Sequence, residues 1–112
     1  MAFLCGYLAN KGRNAWNCVN DHTQNQTIVC SFSCKAGFIT IFDLLRNCYL
    51  TGRYPSFYDY GVSQYIYLTK MGSNMFKVFD YATGTFLSVT CTENLVSIYD
   101  YSKGRYFNYS LN

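Results

Sequence analysis

An aromatic residue followed by Asp, with a second aromatic six positions after the Asp, recurs four times: Phe42-Asp43 with Tyr49, Tyr58-Asp59 with Tyr65, Phe79-Asp80 with Phe86, and Tyr99-Asp100 with Tyr106. A more divergent fifth copy around Asp21 keeps the Asp and its aliphatic neighbours. Successive Asp residues lie 22, 16, 21 and 20 positions apart. A period near twenty is too short for a pair of helices and fits two short strands with two turns. The chain therefore reads as a series of β-hairpins. At 112 residues it is long enough for one hydrophobic core and too short for two, so a single β-repeat domain over 1–112 is expected.

Aligning the copies on their Asp gives the strand register. If Asp and the residue five later flank a four-residue loop, Asp80 faces Thr85, Phe79 faces Phe86, Val78 faces Leu87, Lys77 faces Ser88 and Phe76 faces Val89. The same rule pairs Tyr99 with Tyr106 and Ile98 with Phe107, Tyr58 with Tyr65 and Phe57 with Ile66, Phe42 with Tyr49 and Ile41 with Leu50, and Val19 with Ile28. Side chains alternate between the faces of a sheet, so a register that keeps aliphatic against aliphatic in every copy specifies itself. The segment Phe42–Leu50 contains enough Leu for a short helix, but the repeat register makes it a hairpin.

Loop chemistry supports the same register. An Asp at the first turn position accepts hydrogen bonds from backbone amides two or three residues on. Gly84 and Gly104 supply the positive φ that ends such a turn, and Asn47 tolerates the same conformation. The opposite hairpin ends also read as turns: Gly12-Arg-Asn14, Lys35-Ala-Gly37, Gly52-Arg-Tyr-Pro55, Gly72-Ser-Asn74 and Thr92-Glu-Asn94. The turn Asp80-Tyr-Ala-Thr-Gly84 is similar to hairpins of propeller blades and cell-wall-binding repeats. Blades have about twice this period and wall-binding repeats carry more Trp and Gly, so the likeness identifies no family.

The expected fold class is all-β: an antiparallel up-and-down meander of five hairpins plus an N-terminal strand near Phe3 to Leu8, about eleven strands in chain order. Accumulated twist and exposed edges favour a sheet closed or strongly curved into a barrel. An odd number of strands would bring the first and last together in parallel, which keeps a curved sheet paired with a second copy as the alternative.

One face of this meander carries Val19, Ile28, Ile39, Ile41, Leu50, Phe57, Ile66, Leu68, Phe76, Val78, Leu87, Val89, Val96, Ile98 and Phe107, the expected core. The other carries the aromatic pairs Phe42 with Tyr49, Tyr58 with Tyr65, Phe79 with Phe86 and Tyr99 with Tyr106, followed by polar rungs such as Thr40 with Thr51. Such pairs stabilise hairpins by roughly 0.2 to 1 kcal/mol each. A row of eight rings is also a candidate binding surface, since contiguous exposed apolar area marks interaction sites and Tyr joins rigid contact area to a hydroxyl.

The functional expectation is a non-catalytic binding domain, associating with itself or a protein partner through the aromatic band or an open edge strand. The alternative is a carbohydrate or a small apolar ligand held at the aromatic rim or inside a barrel. A small enzyme using His22, or Asp43, Asp59, Asp80 and Asp100 clustered at one end, comes third; no phosphate loop, His-Glu-x-x-His helix or nucleophile elbow is present. Nucleic acid is disfavoured, because the net charge of +3 comes from scattered residues and only Lys77, Lys103 and Arg105 lie near the band.

No cofactor or metal is expected: Cys30 and Cys34 have no second pair, and His22 is the single His. The six cysteines sit where other copies carry Ser, Thr, Gln or aliphatic residues, as buried thiols would, with a three-disulfide framework as the alternative. No stretch reaches the roughly 20 apolar residues of a spanning helix, and the opening Met-Ala-Phe-Leu-Cys-Gly-Tyr-Leu is too short for a signal-peptide core. The cytosol is the expected location.

Overall fold

The computed structural model describes residues 1–9 and 16–112. The β-branched and aromatic bias of the repeats is realised as ten strands: β1 Cys18–Asp21, β2 Gln26–Lys35, β3 Phe38–Asp43, β4 Cys48–Arg53, β5 Ser56–Asp59, β6 Gln64–Lys70, β7 Met75–Asp80, β8 Thr85–Thr92, β9 Leu95–Asp100 and β10 Arg105–Leu111. Each pairs antiparallel with its neighbours in chain order, and β1 pairs with β10 through Val19 opposite Leu111 and Asp21 opposite Tyr109, closing the barrel. The register read from the repeat is the observed one, including Asp80 opposite Thr85, Phe79 opposite Phe86, Ile98 opposite Phe107, and Val19 opposite Ile28. Phe42–Leu50 is indeed a hairpin. The proposed turn at Gly12-Arg-Asn14 lies outside the described residues.

Five turns close the Asp end, and each places the residue four after its Asp at positive φ: Asn25 at 55°, Asn47 at 54°, Ser63 at 54°, Gly84 at 69° and Gly104 at 66°. Gly84 and Gly104 need no Cβ there, and the two Asn residues take the left-handed region at low cost.

The first element corrects the expectation of a strand near Phe3 to Leu8: Ala2–Ala9 is a helix, α1. Ala2, Phe3, Leu4, Cys5 and Gly6 are all buried, a consecutive run that alternating strand side chains would split between two faces. A helix apolar all round is a buried helix. It is needed because the lumen of an eight-stranded barrel is about as wide as side chains alone can fill, and this barrel has ten strands. α1 packs against β1, β8, β9 and β10, with Phe3 and Tyr7 ring centroids 5.7 and 4.4 Å from that of Phe32. Gly6 sits so close to β10 that an added Cβ would overlap Leu111 Cδ1. Removing one strand from the count also makes it even, so the closing pair is antiparallel and the difficulty of a parallel closure does not arise.

All fifteen expected core positions face the lumen, Ile28 being the only one that is half-buried. The outer face bears polar rungs such as Thr40 opposite Thr51, Lys77 opposite Ser88 and Ser97 opposite Asn108. No helix among the described residues is long and apolar enough to cross a membrane.

Candidate functional site

The repeated Asp residues gather at one mouth of the barrel, and their first job there is local. Asp21 Oδ1 accepts from the amides of Thr23 and Gln24 at 3.0 and 3.1 Å, Asp43 Oδ1 from Leu45 and Arg46 at 3.0 Å, Asp59 Oδ1 from Gly61 at 2.8 Å, Asp80 Oδ1 from Ala82 at 2.9 Å, and Asp100 Oδ1 from Ser102 at 2.9 Å. Partial desolvation pushes the Asp100 carboxyl up, but the Ser102 hydroxyl, the Ser102 and Lys103 amides and the Lys103 charge outweigh it and hold the group below its ordinary value. The carboxylates thus serve as turn caps, as the sequence indicated.

Around the outside of the same mouth runs the aromatic band. All four expected pairs are in edge-to-face contact: Phe42 with Tyr49 at 4.7 Å between centroids, Tyr58 with Tyr65 at 4.8 Å, Phe79 with Phe86 at 4.9 Å and Tyr99 with Tyr106 at 4.8 Å. This is the favoured geometry for ring quadrupoles. The residue after the Asp, which sequence reasoning did not single out, supplies a third ring in three copies. Tyr60 lies 4.7 Å from Tyr58, Tyr81 lies 4.7 Å from Phe79, and Tyr101 lies 4.9 Å from Tyr99.

The backbone at these third rings joins the hairpins to one another. The Tyr60 amide donates to the Tyr49 carbonyl at 2.9 Å, Tyr81 to Tyr65 at 3.2 Å, and Tyr101 to Phe86 at 3.4 Å. The result is a crown running from β3 to β10, with Phe42, Tyr58, Phe79 and Tyr99 half-buried beneath more exposed rings. It is interrupted at β1 and β2, where Asn20 and Thr27 take the ring positions and bond to each other at 2.9 Å. Of the three cations expected near it, Lys77 sits 4.3 Å over the Phe86 ring, whereas Lys103 and Arg105 lie over Phe107, at 5.4 and 4.8 Å.

Inside the mouth lies a cavity of about 460 Å³. Its walls are the lumen side chains Ile28, Ile41, Leu50, Ile66, Leu87 and Ile98, and α1 contributes Met1, Ala2 and Phe3. All five Asp residues line it together with Arg46 and Lys103. Arg46 Nη2 bridges to Asp59 Oδ1 at 3.1 Å and Oδ2 at 3.4 Å. Burial, with the Asp43 charge second, pushes the Cys30 thiol up to about 11.

The remaining chemical candidates do not converge. His22 is tied to β10, its Nε2 2.9 Å from Ser110 Oγ and its amide donating to the Asn108 carbonyl at 2.9 Å. All six cysteines are free thiols: Cys5, Cys30 and Cys91 are buried, Cys18 and Cys48 are half-buried, and Cys34 is exposed, unlike the interior position expected of it. Among the described residues no three His, Cys, Asp or Glu side chains come together as a metal site. Among the described residues every strand of the closed ring has a neighbour on each side, although β1 covers only Gln26–Val29 of β2. No family model, curated protein or solved structure matches this chain, so no relative supplies evidence of catalysis.

Proposed function

We propose that this chain is a non-catalytic association domain whose aromatic crown docks against a protein surface, a second copy of the chain being the partner to test first. The observation that carries this reading is the exposure of the crown. Tyr49, Tyr60, Tyr65, Tyr81, Phe86, Tyr101 and Tyr106 are each between 41% and 62% exposed. With about 150 to 250 Å² per aromatic side chain, seven such rings present on the order of 700 Å². That is comparable to the roughly 800 Å² per partner of a standard interface, and exceeds the largest patch of most monomers. The crown is on the outside of the barrel, and the groove it holds, lined by Ser88, Thr90, Tyr99, Tyr101 and Tyr106, is open to solvent. Small ligands favour enclosed sites, whereas a broad Tyr-rich surface suits another macromolecule. With a single Lys over it, the crown lacks the interleaved cations of a nucleic-acid platform. The free thiols fit a reducing compartment such as the cytosol.

Light scattering across a concentration series tests the reading. The expected result is a mass that rises above 12.9 kDa with concentration, and a variant carrying Tyr60→Ser, Tyr81→Ser and Tyr101→Ser that stays monomeric. A wild-type chain that remains a strict monomer at about millimolar concentration, beyond the weak end of specific association, would overturn self-association through the crown.

A further inference from the structure

We propose that the barrel lumen is a second, separate binding site, for an amphiphilic organic cation: an apolar body inside the lumen with an ammonium head at the acidic lip. The cavity carries the argument. At about 460 Å³ it falls in the range of small-molecule sites, roughly 300 to 1,000 Å³. At about 30 Å³ for each water-sized group it admits a guest of roughly fifteen non-hydrogen atoms. Ile41, Leu50, Ile66, Leu87 and Ile98 make its walls aliphatic, so the body of the guest is apolar.

Charge at the lip selects the head. The lining includes Asp21, Asp43, Asp59, Asp80 and Asp100 against Arg46, Lys103 and the N-terminal ammonium of Met1, which leaves a net charge of −2, five minus three. Arg46 is spent on Asp59, and Arg105 beside the lip stacks on Phe107. Turn hydrogen bonds engage Oδ1 in all five copies, and no buried side-chain oxygen or nitrogen among the described residues lacks a partner. The second carboxylate oxygens of Asp43 and Asp80 are therefore open to solvent or to a guest. A low-dielectric well with one sign of charge at its rim focuses the field on an entering ion. The carboxylates are spread around the mouth and form no metal cluster, so the complementary ion is a broad organic ammonium, not a compact divalent metal.

Titration calorimetry of the whole chain with decylammonium, decanol and decanoate, each below its micelle concentration at neutral pH, tests this. Decylammonium is expected to bind at least about tenfold more tightly than decanoate, a factor of the size that one or two unpaired rim charges supply. Decanol should fall between them, and calcium alone should give no heat of binding. Asp43→Asn with Asp80→Asn keeps the turn-capping oxygen and removes two charges. It should bring decylammonium close to decanol while leaving decanol unchanged. If that variant does not fold, raising salt from about 0.01 M to about 1 M, which shortens the Debye length from ~30 to ~3 Å, must shrink the same preference. Ile66→Phe and Leu87→Phe, which narrow the cavity, should weaken all three organic probes. Equal affinity for the amine and the carboxylate, no binding of any organic probe, calcium binding at the lip, or a preference that survives both charge removal and salt would overturn the proposal.

Discussion

Leu4 sits at the centre of α1 with none of its surface exposed, and its truncation probes the one element that closes the wide barrel interior. Leu4→Ala removes a fully buried branched side chain whose surroundings, the helix on one side and the strand walls on the other, are fixed by closure and collapse poorly. A cost of about 3 kcal/mol is expected, within the ~2.7 to 5 kcal/mol span of such truncations. An unfolding entropy of roughly 2.1 cal/mol/K per residue over 112 residues is ~0.24 kcal/mol/K, so the melting temperature should fall by ~13 °C. Calorimetry or thermal circular dichroism reads this directly. Phe3→Ala should cost at least as much, because a helix buries both neighbours, whereas a strand would bury one and expose the other. A drop under about 4 °C for Leu4→Ala, beside a large one for Phe3→Ala, would restore the alternation of a strand and refute the buried helix.

Two further perturbations probe the walls. Gly52 has φ 152°, and a Cβ there would overlap the Ser56 carbonyl oxygen and lie 2.8 Å from Phe57 Cα. Gly52→Ala should therefore destabilise by about 1 to 3 kcal/mol, and an unchanged urea midpoint would count against this close approach. Burial pushes the Cys5 thiol up to about 12, with the Cys91 charge second, and burial alone pushes Cys91 up to about 11. In the unfolded chain a thiol ionises near pH 8.5, so there the unfolded state loses protons first. Stability is then fully present below about pH 8 and declines as pH climbs toward about 11. Urea midpoints should fall across that window, and Cys91→Ala should flatten the fall; a midpoint equally insensitive in both proteins would contradict it.

The repeat made the strands and their register legible because one invariant step, Asp to the residue five later, fixed every hairpin with a β period of two. α1 was hidden because its eight residues are apolar throughout, so neither a period of two nor one of 3.6 shows in them. The signal available was their lack of any polar alternation, which an edge-of-barrel strand facing water on one side would have shown. Tyr60, Tyr81 and Tyr101 share one repeat position, directly after the Asp, and are legible in the sequence as a third ring. The cavity was not readable, because its size depends on closure at ten strands and on how much of the lumen α1 fills. Neither Arg46 bridging to Asp59, 13 positions on, nor His22 reaching Ser110 follows from any local pattern.

The central claim, that the crown is the docking surface, is tested most directly by a dilution series of two-dimensional NMR spectra with residue assignments. Concentration-dependent shifts confined to the crown are expected, strongest at Tyr60, Tyr81 and Tyr101 and their neighbours, with the turns at Lys35–Phe38 and Thr92–Leu95 unmoved. Shifts centred on those opposite turns, or association with the crown signals unchanged, would contradict it.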